Sequence, residues 1–199
     1  MKVKVNLLTR LKNYIKVLRG NKLTWQDVER FTDGFNRRTG ALLDMYFNAI
    51  IKAGGVMPNN MLDVGCGKMY AKEYFAAKHG ITYSGLDYKK RDNDTIVCDL
   101  NAKQFVENNY DMILLAGVIE YIHDTDWLFD QITNHSDRDI VMSYCTIEKN
   151  SDVDAREKCA WVNAMSGSEI IESMAKRNFK LVNNQSWQKN TDLYYFTRG

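Results

Sequence analysis

One glycine turn constrains the fold of this 199-residue chain more than any other feature. Residues 61–64 form a largely apolar run that predicts a buried strand, and Gly65 and Gly67 directly after it predict a turn into a helix. A second predicted strand, residues 81–86, is followed at once by Asp87. Parallel strands joined by a helix bring their carboxyl ends to the same edge of a sheet. The pattern therefore predicts backbone N–H groups and one carboxylate side by side, which suits a ligand that contains a ribose.

Strand and helix patterns alternate along the rest of the chain. Further strands are predicted over residues 95–98, 111–116, 139–144, 180–186 and 193–197. Helices are predicted between them over residues 71–79, 124–134 and 167–177. This alternation predicts an α/β fold, a Rossmann-like, doubly wound and mostly parallel seven-stranded sheet. We expect the last two strands to form an antiparallel pair and the residues before the first strand to form an N-terminal helical arm.

The N-terminal part of the chain differs from the rest in charge. Residues 1–52 contain eleven Lys and Arg against four Asp and Glu, whereas the remainder is acidic by count. Apolar residues recur at helical spacing within residues 1–22, which predicts a basic amphipathic helix. Such a helix packs on its own domain, closes over a site as a lid, or docks on an anionic membrane or an acidic partner. We expect an arm or lid over residues 1–55, with a second predicted helix at 24–35 and a third at 39–53, and a domain over residues 56–199.

The composition is that of a globular protein, with 45% hydrophobic residues. No apolar run approaches the ~20 residues that a membrane-spanning helix needs, and the first residues lack the apolar core of a signal peptide. The four cysteines include no C-x-x-C pair, so a disulfide framework and a metal site are disfavoured. These observations predict a cytoplasmic protein with reduced thiols and no metal.

Four segments, in chain order, resemble the class I S-adenosylmethionine-dependent methyltransferases. They are Leu62-Asp63-Val64-Gly65-Cys66-Gly67, Gly85-Leu86-Asp87, Val97-Cys98-Asp99-Leu100 and Tyr110-Asp111-Met112-Ile113-Leu114-Leu115-Ala116-Gly117-Val118-Ile119-Glu120-Tyr121. The resemblance covers about residues 40–199, and Met69 departs from it because many members carry a third glycine there. Nicotinamide dehydrogenases share the glycine turn and the acid, but their fingerprint wants a small residue where this chain has the bulky Tyr70. The methyltransferase pattern is therefore favoured.

The resemblance implies that S-adenosylmethionine is the cofactor. Asp63 would organise the turn and the amino group of the cofactor, and Asp87 would accept hydrogen bonds from both ribose hydroxyls. Asp99 would reach the adenine amino group, with Leu100 packed on the ring. The complete implied set of cofactor-binding residues is Asp63, Gly65, Cys66, Gly67, Asp87, Tyr88, Asp99, Leu100, Ala116 and Gly117.

Candidate catalytic residues follow the fourth predicted strand. Methyl transfer from a sulfonium is an in-line displacement, so a protein mainly aligns the reactants and supplies a base if the acceptor is a hydroxyl. His123 is the first choice for the base because an imidazole titrates near neutral pH, and Asp126 is predicted to orient it. Glu120 is predicted to contact the substrate or the sulfonium. As a structural alternative, His123 is a surface or capping residue and Glu120 caps the next helix.

Residues with aromatic or amide side chains are candidates for substrate binding. Tyr121 follows Glu120, and Tyr144 lies at the end of the fifth predicted strand, at the same edge of the sheet. Trp161 and Asn163 together suggest a flat stacking surface with a polar group, which suits a sugar or an aromatic acceptor. Core packing is the structural alternative for Trp161.

The sequence favours a small-molecule or sugar hydroxyl as the acceptor. The charge of the domain disfavours nucleic acid, and the stretch after the fourth strand lacks the proline-rich motif of adenine-N6 methyltransferases. A loose similarity to small bacterial methyltransferases suggests surface-glycan biosynthesis, and residues 1–22 would suit a peripheral membrane contact. Two alternatives stay open: a non-catalytic module that docks a partner through its basic helix, and a methyltransferase for protein or RNA. The sequence indicates no oligomeric state.

Overall fold

The computed structural model describes residues 33–199. The predicted basic helix within residues 1–22, and most of the predicted helix at 24–35, lie outside the described residues. The division into an arm over 1–55 and a domain over 56–199 stays a prediction. Among the described helices, none combines the length and the apolar character that crossing a membrane requires.

Seven strands form one mixed sheet in the order β3-β2-β1-β4-β5-β7-β6. The strands are β1 Asn60–Val64, β2 Thr82–Asp87, β3 Ile96–Val97, β4 Tyr110–Ala116, β5 Ser136–Tyr144, β6 Phe179–Trp187 and β7 Thr191–Arg198. Strands β1 to β5 pair in parallel, and β7 is antiparallel to both β5 and β6. The predicted fold class, including the antiparallel C-terminal pair, is confirmed.

Five helices are described around this sheet, besides two short 3₁₀ helices at Leu100–Ala102 and Ile119–Tyr121. The five are α1 Asp33–Lys52, α2, which begins as a π-helical turn at Lys72–Ala76 and continues as Ala77–His79, α3 Thr125–His135, α4 Val153–Lys158 and α5 Gly167–Ala175. Side chains cap three of the starts: Asp124 accepts a hydrogen bond from Trp127 N, Asp152 accepts one from Ala155 N, and Ser166 forms a capping box with Glu169. Helix α1 begins six residues before its predicted start, and α4 is short, polar and not predicted at all.

The helices cover both faces of the sheet. Helices α1 and α2 pack on one face through residues such as Leu43 and Phe75, and α3 and α5 pack on the other through residues such as Phe129 and Ile170. Strand β4 is the reason for this layering, because its apolar residues are buried on both faces, as is typical of a central parallel strand. The carboxyl ends of β1 to β5 therefore meet at one edge between the two helical layers.

A buried acid connects α1 to the sheet. Asp139 of β5 is 1% exposed and accepts hydrogen bonds from Tyr46 Oη at 2.8 Å and Tyr195 Oη at 3.1 Å. Arg138 Nε donates a third bond at 2.8 Å. Burial and the neighbouring charge of Asp139 raise the pKa of both tyrosines, so they stay protonated as donors. This network fixes the position of α1 on the sheet.

Candidate active site

Part of the backbone of the glycine turn is not covered by side chains. Gly65 adopts a φ of +69°, and a Cβ at this position would lie 2.2 Å from Val118 Cγ2. Gly67 adopts a φ of +51°, and a Cβ there would meet only the carbonyl oxygen of Gly65, at 3.9 Å. Glycine at 65 thus permits close packing against Val118, and glycine at 67 leaves open space in which a ligand can approach the chain.

Asp87 is hydrogen-bonded to this turn. Its side chain is nearly buried, and its Oδ2 accepts from Gly67 N at 2.9 Å. Its Oδ1 accepts from Arg91 Nη2 at 2.9 Å and from Lys89 N at 3.3 Å. A carboxylate offers about four lone-pair positions, and these three donors leave one of them open. A second ribose hydroxyl at this point would therefore displace the bond from Arg91 or the longer bond from Lys89 N. The acid at the end of β2 and the turn after β1 therefore form one unit.

Asp63 lies within the protein beside that unit. It is 4% exposed, and its Oδ2 accepts a hydrogen bond from Tyr83 Oη at 2.7 Å. Burial raises the pKa of Asp63 to about 7, the bond from Tyr83 lowers it, and the charge of Asp87 raises it. Burial likewise raises the pKa of the Cys66 thiol, so this thiol stays protonated.

The pKa of Asp63 predicts a specific pH dependence of stability. Between about pH 4 and about pH 7 the folded chain holds a proton that the unfolded chain has released, so this contribution to stability is lost as the pH rises. Asp63→Asn removes the titration. Its stability relative to the wild type should be greater at about pH 7 than at about pH 5, by about 2 kcal/mol in urea unfolding. An equal difference at both pH values would show that Asp63 is not titrating in this range.

The residues predicted to face adenine lie at the next strand. Cys98 N donates to the carbonyl oxygen of Asp87 at 2.9 Å, which brings the end of β3 beside the end of β2. Asp99 is exposed and accepts from Asn101 N, while Leu100 is buried in the core. The structure thus places Asp63, Asp87 and Asp99 at the ends of three neighbouring strands. Tyr88 lies directly after Asp87, with the guanidinium of Arg91 5.5 Å from the centre of its ring.

Arg38 is a buried arginine beside the predicted site, and the sequence did not single it out. It belongs to α1, is 7% exposed, and donates from Nη2 to the carbonyl oxygen of Ala116 at 3.3 Å. Gly117 adopts a φ of +75°, and a Cβ there would lie 1.5 Å from Arg38 Nη2. The guanidinium therefore lies directly on Gly117, beyond the end of β4. The available signal was that Arg38 precedes the apolar Leu42 by four residues and so shares its buried helix face.

Glu120 is a deeply buried carboxyl residue just after β4. It is 1% exposed, and its Oε1 accepts a hydrogen bond from Cys145 N, just beyond β5, at 3.1 Å. Its Oε2 makes no hydrogen bond with the residues described. Tyr121 beside it is half-buried, and burial raises the pKa of its hydroxyl although a hydrogen bond from Trp161 lowers it. A carboxyl group thus enters the protein interior just after the end of β4.

His123 lies outside this buried region. Its side chain is exposed, and its backbone N donates to Asn101 Oδ1 at 3.0 Å. Asp126, predicted to orient His123, accepts instead from Arg177 Nη2 at 2.6 Å. The role of His123 stays a prediction, and the structure gives Asp126 another partner.

Three residues that were predicted to bind substrate, Tyr144, Trp161 and Asn163, make contacts within the protein. Tyr144 is fully buried and donates from its hydroxyl to Asn163 Oδ1 at 2.5 Å. Asn163 Nδ2 donates to the carbonyl oxygens of Ile119 and Ile122, on either side of Glu120. Arg156 of the unpredicted helix α4 donates to Tyr144 Oη and to the carbonyl oxygen of Asn163, and its guanidinium lies 5.0 Å from the ring of Trp161. Their contact with a substrate stays a prediction, and what the structure shows is that they fix the loop of Glu120.

Comparison with known proteins gives similarity of structure only. Neither a protein-family profile nor a curated protein sequence matches the chain. The magnesium protoporphyrin IX methyltransferase of Synechocystis PCC 6803, with bound SAH, is 12% identical with a TM-score of 0.61, over 96% of this chain and 95% of its own. The fold is that of the class I methyltransferases.

Two further methyltransferases share this fold over nearly their whole length. The 1,6-didemethyltoxoflavin-N1-methyltransferase of Burkholderia thailandensis, solved with bound 1,6-didemethyltoxoflavin and S-adenosylhomocysteine, is 16% identical with a TM-score of 0.62, over 94% of this chain and 89% of its own. The plantazolicin methyltransferase BpumL, solved with a monoazolic desmethylPZN analogue and SAH, is 12% identical with a TM-score of 0.64, over 98% of this chain and 95% of its own. Class I methyltransferase architecture therefore accounts for the whole described part of the chain.

Proposed function

We propose that this chain is a methyltransferase that uses S-adenosylmethionine and acts on a small molecule. The observation that carries the proposal is the bond between Gly67 N and Asp87 Oδ2, which joins a bare glycine turn to a buried acid at the carboxyl edge of a methyltransferase fold. When bound, the cofactor supplies a methyl group on a positively charged sulfur. Asp87 would hold the ribose, and Asp99 and Leu100 would meet the adenine.

The residues present fit this cofactor. Open space over Gly67 accommodates a ligand against the backbone, and the carboxylate of Asp87 lies within hydrogen-bond distance of the same turn. Arg38 on Gly117 offers a buried guanidinium, the group best suited to a carboxylate such as that of the methionine portion. The ribose and the methionine carboxylate of such a ligand are thus matched by groups of complementary chemistry.

Arg38→Ala should weaken binding of SAH about tenfold to 100-fold, because a hydrogen bond to a charged group contributes about 1.5–3 kcal/mol. Calorimetric titration measures the change. Arg37→Ala is the matched control, since Arg37 is the exposed neighbour on the same helix and should keep the wild-type affinity. Equal affinities for the two variants would remove Arg38 from the cofactor site.

The acceptor that we propose is a hydroxyl group of a small molecule or sugar. The buried carboxylate of Glu120 supports this choice, because a hydroxyl must lose a proton as it is methylated. Small-molecule acceptors are also what two of the similar structures are named for, a didemethyltoxoflavin and a protoporphyrin. A role in surface-glycan biosynthesis in the cytoplasm extends the same proposal.

Transfer of a radiolabelled methyl group tests the proposal directly. The chain is incubated with labelled S-adenosylmethionine and a cell extract that is then separated into small-molecule, glycan, protein and RNA fractions. We expect label in the small-molecule or glycan fraction. Label confined to protein or RNA would make the acceptor class wrong, and no transfer into any fraction would count against the activity.

A further inference from the structure

Polar side chains gather on the α1 side of the sheet where β4 and β5 end. Ser143 of β5 shares a face with Val141, which packs against α1, and its partner across the sheet is Ala116. Cys145 lies two residues further on, and its thiol contacts Thr191 Oγ1 at 3.4 Å. The backbone N of Cys145 donates to Glu120 Oε1, so the carboxylate of Glu120 lies at the same end of β5 as Ser143.

Two buried polar atoms of this cluster make no hydrogen bond with the residues described. They are Glu120 Oε2 and Ser143 Oγ. By contrast, Ser136 at the other end of β5 is equally buried, and its hydroxyl donates to the carbonyl oxygen of Asp139 at 3.0 Å. Native proteins rarely leave such groups unsatisfied, and exceptions are often functional. Each of the two atoms therefore has a hydrogen-bond position left for a ligand.

The chemistry of the two atoms specifies that ligand. An ionised carboxylate only accepts hydrogen bonds, whereas a serine hydroxyl both donates and accepts. One alcohol group satisfies both, since its O–H donates to Glu120 Oε2 and its oxygen accepts from Ser143 Oγ. A carboxylate or thiolate acceptor would be repelled by Glu120.

We propose, on the basis of the methyltransferase function above, that Glu120 and Ser143 bind the reacting hydroxyl of a neutral alcohol or phenol. The acceptor oxygen forms a bond to the methyl carbon while the carbon–sulfur bond breaks and its electron pair stays on sulfur. The hydroxyl proton passes to Glu120 Oε2. This assigns the base to buried Glu120 and not to exposed His123, and it places the reaction beside Gly117.

Paired serine variants test the binding site without knowledge of the acceptor. Ser136→Ala loses a satisfied buried hydrogen bond, so its unfolding temperature should fall by about 2–4 °C. Ser143→Ala removes a hydroxyl that has no partner, so its unfolding temperature should stay at or above the wild-type value. An equal fall in both variants would overturn the proposal, because the Ser143 hydroxyl would then be structural.

Glu120→Gln tests the proton transfer, with exposed Glu172→Gln as control. We expect SAH binding to match the wild type and methyl transfer to small molecules to fall about 100-fold or more. Wild-type transfer by Glu120→Gln would overturn this inference and leave the proposed function intact. Failure of the wild-type chain to bind SAH would overturn the proposed function itself, and this inference with it.

Discussion

Asp87→Ala should lower the affinity for SAH about 100-fold or more, measured by calorimetric titration. Two ribose hydroxyls would each lose a hydrogen bond to a charged group, which is worth about 1.5–3 kcal/mol. The substitution also releases Gly67 N and Arg91 Nη2, the two donors that hold the turn and the following loop in place. The effect therefore combines lost contacts with a less ordered site.

Asp92→Ala is the control for the loss of a carboxylate near the site, as distinct from the loss of the Asp87 contacts. Asp92 lies in the same loop, but its carboxylate bonds Thr95 and Lys72 and has no place in the proposed site. We expect its affinity for SAH to stay near that of the wild type. If Asp87→Ala binds SAH as tightly as Asp92→Ala does, the assignment of Asp87 to the ribose is wrong.

Asp139→Ala should lower the free energy of unfolding by about 3–4 kcal/mol in urea titrations. The carboxylate is buried, and its removal leaves the hydroxyls of Tyr46 and Tyr195 without their partner in the core. Arg138 is partly exposed and can turn toward water, so the tyrosines carry most of the cost.

Asp137→Ala is the control for this stability effect. Asp137 lies two residues earlier on β5, is exposed, and bonds only Asn109 among the residues described, so its loss should cost below about 1 kcal/mol. Equal losses in the two variants would show that the Asp139 network does not fix α1 on the sheet.

Local patterns were sufficient to predict the framework of the fold. The apolar run of β4, the glycines at 65 and 67 and the acid after β2 each have a local physical reason, so they are recognisable in the sequence. Strand ends differ from prediction by a few residues: β5 begins at Ser136, three residues early, because Ser136 pairs with Tyr110 across a register shift. No local signal marks such long-range pairing.

The long-range contacts of the site were not predictable in the same way. Arg38 lies on Gly117, 79 positions later in the chain, and Arg156 bonds Tyr144 from a helix too short and polar to be recognised. Asn163 was singled out for its amide, but its hydrogen bonds to Ile119 and Ile122 could be known only from the fold. Periodicity places side chains on faces, whereas tertiary packing decides which of them meet.

Calorimetric titration of the wild-type chain with SAH tests the central claim most directly. If the glycine turn and Asp87 hold an adenosyl cofactor, SAH should bind once per chain with a dissociation constant in the micromolar range. Nicotinamide adenine dinucleotide, which suits the rival fingerprint, should not displace it. Absence of binding by a chain that unfolds cooperatively, or displacement of SAH by the dinucleotide, would contradict the claim.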